Sequence, residues 1–120
     1  MKTAAVAAVL CIAASAAAYA QNYPVRPIRV IAPFPAGGGT DLFARAIAQK
    51  LSAAWGQQVI VDNRSGAGGM IGSEMAAKAA PDGYTLLITS SSSHAISPHF
   101  ARKPPYDPIN DFTPVILIAS

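Results

Sequence analysis

The sequence has few of the residues on which disulfides, metal sites and nucleic-acid surfaces depend. Among its 120 residues only Cys11 is a cysteine, which excludes an intrachain disulfide and a thiolate metal site. The two histidines, His94 and His99, and the isolated carboxylates lack the spacing of metal ligands, so we expect neither a metal nor a cofactor. The net charge is only +3, and the basic residues are scattered without interleaved aromatics, so we expect no nucleic-acid binding.

The sequence also lacks an apolar run long enough to cross a membrane. Its longest run falls short of the roughly twenty residues that a membrane-spanning helix needs. This run covers residues 4–18, follows Lys2 and leads into Ala18-Tyr19-Ala20, which has the small residues of an A-x-A cleavage site. The pattern predicts a signal peptide over residues 1–20, cleaved after Ala20. The mature chain would then begin at Gln21, lie in the periplasm and have no membrane span. A retained N-terminal anchor helix is the alternative.

Three short apolar segments have the composition of buried β-strands. They are Ile28–Ala32, residues 58–62 (QVIVD) and residues 84–89 (YTLLIT), the last preceded by a Pro81-Asp82-Gly83 turn. Their apolar residues follow one another almost without interruption, which is typical of parallel strands that are covered on both faces.

A helical pattern separates each pair of strands. Residues 41–55 are amphipathic, with Thr40 as the expected N-cap and Gly56 as the expected stop. Residues 70–80 predict a second helix, in which Glu74 and Lys78 are spaced to form an ion pair. The order β-α-β-α-β predicts an α/β fold with a doubly wound, mostly parallel sheet and right-handed crossovers.

Each predicted strand is followed by an unusual loop. Two loops are rich in glycine, PFPAGGGTD at 33–41 and RSGAGG at 64–69, and the third is rich in serine, SSSSH at 90–94. In an open parallel sheet these loops share one edge, which is where ligands bind. Glycines let backbone N–H groups point at a ligand, and the following helix adds positive potential, so the loops suit a carboxylate or a phosphate. Alternatively, the glycines only form tight turns.

Two other readings of the loops have weaker support. A dinucleotide site would require G-x-G-x-x-G, but Ile71 occupies the place of the third glycine after Gly66 and Gly68, and no P-loop motif is present. A secreted α/β hydrolase could use Ser91 and His94, yet no G-x-S-x-G elbow surrounds a serine, and we do not expect an enzyme. An interaction module that binds a protein partner and no small ligand is the remaining alternative.

Asp41 falls in the first turn of the first predicted helix, where its carboxylate competes with a bound anion for the same positive potential. We expect it to face the loop, an amino group of the ligand or a bridging water. The N–H groups of residues 37–40 would then be left to a ligand carboxylate. The alternative is an exposed acid at the start of a surface helix.

The order of the loop motifs resembles that of a known family. The segments that carry the resemblance are PFPAGGGTD at 33–41, GQQVIVDNRSGAGG at 56–69, AAPDGYTLL at 79–87 and YDPINDFTPVILIAS at 106–120. Together they resemble the Bug family, the extracytoplasmic solute receptors of tripartite tricarboxylate transporters. The resemblance covers nearly all of the chain after residue 20.

The resemblance implies a two-lobed periplasmic binding fold that closes on a small carboxylate and delivers it to a membrane permease. It places a ligand against residues of the two glycine loops: Phe34, Ala36, Gly37, Gly38, Gly39, Thr40, Asp41, Ala67, Gly68 and Gly69. The serine loop is expected to add a polar wall through Ser91, Ser92 and His94. Asp62 and Ser65 stand where Glu and Pro are more usual in the family, which bears on the rigidity of the loop.

The implied domain organisation is the first part of one lobe. Residues 21–120 would form the beginning of the N-terminal α/β lobe, and the second lobe would be absent, so we expect a truncated chain. A cleft with a single wall cannot surround a ligand. We therefore expect this polypeptide alone to bind dicarboxylates weakly or not at all.

Overall fold

A computed structural model describes residues 23–118, and the predicted signal peptide lies outside the described residues. The regular elements, in chain order, are β1 (Ile28–Ala32), α1 (Gly39–Trp55), β2 (Val59–Asn63), α2 (Met70–Ala77), β3 (Thr85–Leu87) and α3 (Ser97–Phe100). A 3₁₀ turn at Ala67–Gly69 leads into α2, and a π-helical turn at Ser92–Ile96 leads into α3. No helix within residues 23–118 combines the length and the apolar character needed to cross a membrane.

The sheet has three parallel strands in the order β2-β1-β3. Ile28 lies opposite Val59 on one side of β1, and Arg29 lies opposite Thr85 on the other. The central strand is the core of the protein, because Ile28, Ile31 and Ala32 have no exposed surface. Burial on both faces explains why the apolar residues of β1, interrupted only by Arg29, show no regular alternation.

The two long helices cover opposite faces of the sheet. Successive side chains of a strand point to opposite faces of the sheet, so the side chains of Asp62 and Asn63 lie on the two different faces of β2. Asp62 is paired with Arg29, whose guanidinium also contacts the sulfur of Met75 in α2. Asn63 instead donates a hydrogen bond to Asp41 in α1. This arrangement confirms the predicted doubly wound α/β fold.

The start of α1 differs from the sequence prediction. Thr40 is not the N-cap: the helix already begins at Gly39, after Gly38 in an extended conformation (φ −77°, ψ 168°) and without a side-chain cap. Glycine is acceptable at this position, and the Asp41 carboxylate reaches back to the loop in place of a capping hydroxyl. The predicted stop is confirmed, because Gly56 adopts a left-handed conformation (φ 64°) and donates its N–H to Ser52 O.

The other boundaries shift by a few residues. β2 begins and ends one residue later than predicted, and β3 is shorter, covering only Thr85–Leu87. α2 ends at Ala77, three residues before the predicted end, because the N–H of Ala79 turns to Ala76 O and tightens the last turn. The predicted ion pair between Glu74 and Lys78 is present on the exposed side of α2.

Candidate functional site

The three loops that follow the strands meet at the carboxyl edge of the sheet. A methyl group on Gly69 would lie 2.6 Å from Ser93 Cβ and 3.6 Å from the ring of Phe34, so the second loop contacts both of the others. Ser97 Oγ, at the start of α3, adds a hydrogen bond of 3.4 Å to Gly68 O. The two glycine loops and the serine loop therefore border one common surface.

The first glycine loop contains a tight turn. Gly38 donates its N–H to Pro35 O at 3.4 Å, and Gly37 has a φ of 88°. A positive φ at the third of four residues is the signature of a type II turn, which favours glycine there. This turn carries the backbone from the end of β1 to the first residue of α1.

Asp41 anchors this loop from within. The residue is 2% exposed. Its Oδ2 accepts hydrogen bonds from Gly37 N at 2.8 Å and Arg45 Nε at 2.9 Å, while its Oδ1 accepts one from Asn63 Nδ2 at 2.9 Å. The hydrogen bonds from Arg45, Gly37 and Asn63 lower the pKa of Asp41 to about 2. Asp41 faces the loop as predicted and is not an exposed acid. The N–H groups of Gly37, bonded to Asp41, and of Gly38, bonded to Pro35 O, are not left for a ligand, which corrects that part of the expectation.

Sequence reasoning missed Arg45 and Asn63 as partners in this network. Arg45 stands four residues after Asp41, a spacing that could have predicted the pair on α1. Asn63, the last residue of β2, also donates to Phe34 O at 3.2 Å and accepts from Arg45 Nη2 at 3.1 Å. A polar residue that ends a strand beside the predicted site was the available signal.

The beginning of α1 presents unpaired backbone donors. The first helical hydrogen bond runs from Leu42 N to Gly38 O, so the N–H groups of Gly39, Thr40 and Asp41 precede it and have no acceptor within the helix. These groups carry the positive end of the helix dipole. These residues lie at the carboxyl edge of the sheet, where Gly39 is exposed, Thr40 is partly exposed and Asp41 is buried.

The second glycine loop has an unusual backbone. Four consecutive residues have positive φ values: 135° at Gly66, 49° at Ala67, 66° at Gly68 and 93° at Gly69. Ala67 is the only one with a Cβ, so its conformation is strained, by about 1–2 kcal/mol. The N–H of Gly69 bonds to Gly66 O and that of Met70 to Ala67 O, which leaves the N–H groups of Ala67 and Gly68 outside these two turn bonds.

Gly72 allows α2 to pack closely against the first residues of both glycine loops. A methyl group there would lie 2.7 Å from Arg64 O and 2.8 Å from Pro33 Cβ. The position therefore requires glycine for close packing. This requirement accounts for Gly72 without a dinucleotide-binding motif.

The serine loop divides into exposed and buried hydroxyls. Ser91 and Ser92 are exposed, and Ser92 Oγ pairs with Ser90 Oγ at 2.8 Å. Ser93, which was not predicted, is 1% exposed, and its hydroxyl lies 2.7 Å from Thr89 Oγ1. This hydrogen bond holds the π-helical turn beside the second glycine loop.

His94 faces away from this surface. Its Nε2 lies 2.9 Å from Pro108 O and so carries the donated proton, while its Nδ1 is buried and has no partner among the described residues. The ring packs edge-on against Phe112, with centroids 4.8 Å apart. Neither ring nitrogen is open to a ligand or bonded to Ser91. The expectation that His94 adds to the polar wall is therefore not met in this structure, and neither is the serine–histidine pair of the hydrolase alternative.

The comparisons with known proteins agree with this architecture. A protein family described as "Tripartite tricarboxylate transporter family receptor" matches residues 43–120. BugT of Bordetella pertussis is 48% identical over 100 residues, which make up 82% of this chain and 31% of BugT.

Two solved structures resemble the described part of the chain. MatC from Rhodopseudomonas palustris, with bound malate, has a TM-score of 0.72 and 40% identity over 78% of this chain and 32% of MatC. An R. palustris protein with adipate has a TM-score of 0.77 and 45% identity over 81% of this chain and 32% of its own. The chain thus spans about a third of the length of these relatives. The resemblance read from the loop motifs is confirmed, and the chain belongs to the family of tripartite tricarboxylate transporter receptors.

Proposed function

We propose that this chain forms one wall of an extracytoplasmic receptor that binds a small carboxylate and delivers it to a membrane permease. The observation that carries the proposal is the set of unpaired N–H groups on two loops at one edge of the sheet, those of Gly39, Thr40, Ala67 and Gly68. Backbone N–H groups at a helix start bind anions well, because several donors point at one oxygen pair and the helix dipole adds to them. The malate and adipate bound by the two relatives are anions of this kind.

The residues of the loops have different roles in this proposal. The N–H groups of Gly39, Thr40, Ala67 and Gly68 hold the carboxylate, the ring of Phe34 forms an apolar side, and the hydroxyls of Ser91 and Ser92 extend the polar surface. Ala36, Gly37, Gly38 and Gly69 shape the backbone around it. In this reading the chain performs no catalysis, is exported by residues 1–20 and acts in the periplasm.

Gly39 offers a direct test, because it is the first residue of α1 and a methyl group there would meet no atom within 4 Å. Proline is favoured at the first position of a helix, and the extended backbone of Gly38 suits a residue that precedes proline. Gly39→Pro would therefore remove one N–H donor and keep the helix. Gly39→Ala is the matched control, since it adds a side chain and keeps the donor.

The experiment is an NMR titration of the ¹⁵N-labelled chain with malate, with the neutral diamide of malate as the control solute. We expect amide shifts at Thr40, Ala67 and Gly68 with malate only, and weak binding, with a dissociation constant of about 1 mM or higher, because one wall leaves the solute exposed to water. Gly39→Pro should weaken binding about ten-fold through loss of a charge-assisted hydrogen bond, and Gly39→Ala should not. Equal shifts with the diamide, or equal affinity of the proline variant, would contradict the proposal.

A further inference from the structure

Asp41 connects three parts of the chain that border the proposed binding surface. Its carboxylate accepts hydrogen bonds from Gly37 in the first glycine loop, from Arg45 one turn along α1 and from Asn63 at the end of β2. The residue is buried, so water contributes little to the stability of its charge. A buried carboxylate requires such partners, because removal of a charge from water is costly unless donors replace the water.

These contacts form a closed ring. Arg45 Nη2 donates to Asn63 Oδ1 at 3.1 Å, and Asn63 Nδ2 donates both to Asp41 Oδ1 at 2.9 Å and to Phe34 O at 3.2 Å. The first glycine loop is therefore tied at two points, at Phe34 O and at Gly37 N. The backbone between these points is fixed relative to α1 and β2.

The ring also limits the effect of the Asp41 charge on an anion. A carboxylate at the start of a helix would repel a bound anion, but Arg45 Nε is only 2.9 Å away and balances the charge. Both Asp41 oxygens are already occupied by donors from the protein. Asp41 is also only 2% exposed, so a ligand cannot reach its carboxylate directly.

We infer that Asp41 is a positioning residue, which does not touch the solute but holds the first glycine loop so that the N–H groups of Gly39 and Thr40 point toward it. The inference rests on the proposed function, because it assigns the carboxylate of the solute to those two donors. It also separates the N–H groups of the loop by role: those of Gly37 and Gly38 bond within the protein, and those of Gly39 and Thr40 are assigned to the ligand.

The test compares two isosteric changes of aspartate to asparagine in the full chain. Asp41→Asn keeps the shape of the side chain but has a single acceptor oxygen and no charge, so it cannot accept all three hydrogen bonds. Asp62→Asn is the matched control, because Asp62 likewise accepts hydrogen bonds from arginine side chains, those of Arg29 and Arg64, but none from the first glycine loop. The change in net charge is the same in both variants.

The first measurement is amide hydrogen exchange at Gly37, with β1 as the internal reference. We expect Asp41→Asn to speed exchange at Gly37 about ten-fold or more beyond any acceleration at the β1 amides, which report the global stability. Asp62→Asn should leave Gly37 unchanged. Unaltered exchange at Gly37 in Asp41→Asn would overturn the inference.

The second measurement is the malate titration, read at the amides of Gly39 and Thr40. We expect the malate-induced shifts to shrink several-fold in Asp41→Asn and to persist in Asp62→Asn, a difference that a general loss of stability would not produce. Full-sized shifts in Asp41→Asn would overturn the positioning role. If the unaltered chain shows no malate shifts at any loop amide, the proposed function fails, and the exchange at Gly37 still decides whether Asp41 holds the loop.

The third measurement uses the unaltered chain, so it does not require that a variant folds. The amide proton shift of Gly37 should follow the titration of Asp41, because the two groups share a hydrogen bond of 2.8 Å. A Gly37 shift that stays constant until the acid unfolding of the chain would also overturn the inference.

Discussion

Gly69 and Ser93 approach each other so closely that a Cβ on Gly69 would lie 2.6 Å from Ser93 Cβ. The contact joins the second glycine loop to the π-helical turn after β3, and Gly69 has a φ of 93°. Two independent requirements, space and backbone conformation, therefore restrict this position to glycine. The relative position of the two loops, and so the shape of the proposed binding surface, depends on this contact.

Gly69→Ala should destabilise the chain by about 2–5 kcal/mol, the sum of a left-handed alanine and of overpacking against Ser93. Gly37→Ala is the matched control, because Gly37 has a φ of 88° but no atom within 4 Å of an added Cβ. It should cost only the conformational part, about 1–2 kcal/mol. The free energies of unfolding can be measured by urea denaturation.

The double variant Gly69→Ala, Ser93→Gly isolates the steric part. The loss in free energy of unfolding should be about 1–3 kcal/mol smaller in the double variant than the sum of the losses in the two single variants. The two residues are in contact, so their effects are not additive. Additive free energies would show that the two loops do not press on each other at this point.

Acid should remove part of the stability that Asp41 provides. The hydrogen bonds from Arg45, Gly37 and Asn63 hold the folded-state pKa at about 2, below the ordinary value of 3.8. A group whose pKa is lower in the folded state stabilises the protein fully above the unfolded-state pKa, and this contribution is lost as the pH falls from about 4 through 2.

Urea denaturation of the unaltered chain and of Asp41→Asn, at about pH 6 and about pH 3, measures this effect. The difference in unfolding free energy between the two proteins should shrink at the lower pH. A difference that stays constant over this range would mean that Asp41 has the same pKa in the folded and the unfolded chain.

Most of the fold could be predicted because its signals are local. β1 is a run of five residues, of which the structure buries all but Arg29, and Gly56 ends α1 in the left-handed conformation that favours glycine. The ends of α2 and β3 could not be placed to the residue, since they depend on how the backbone turns at Ala79 and on which strand residues find partners. Tertiary contacts decide such boundaries, and the sequence pattern does not contain them.

The loops of the site were predictable as loops, but the use of each donor was not. Asp41 and Asn63 are far apart in the sequence, and their hydrogen bond exists only because α1 packs beside the end of β2. The sidechain of His94 turns toward Pro108, a residue fourteen positions later, for a similar reason. The glycine content of the sequence predicts where the exposed loops lie. The acceptor of each N–H group in those loops depends on the tertiary fold.

Ser91 and His94 should respond very differently to truncation. His94→Ala should destabilise the chain by about 2–3 kcal/mol, because it removes the hydrogen bond to Pro108 O and the edge-on contact with Phe112. Ser91→Ala should change the free energy of unfolding by less than about 0.5 kcal/mol, since the side chain is exposed. An ester-hydrolysis assay is the companion measurement. Turnover that both changes abolish would instead favour the hydrolase alternative.

Tyr23 fastens the start of the described chain to the edge of the sheet opposite the proposed binding surface. Its hydroxyl donates to Gly83 O at 2.6 Å, and its ring packs edge-on against Tyr84 and Trp55, with centroids 5.1 and 6.0 Å away. Tyr23→Phe should lower the free energy of unfolding by about 1 kcal/mol through the lost hydrogen bond, and Tyr23→Ala should lower it by about 2 kcal/mol, because the ring is half exposed. Val25→Ala, at a residue that is 64% exposed, is the control and should have little effect. If Tyr23→Ala were as stable as the unaltered chain in urea, the contacts of Tyr23 would contribute nothing to the fold.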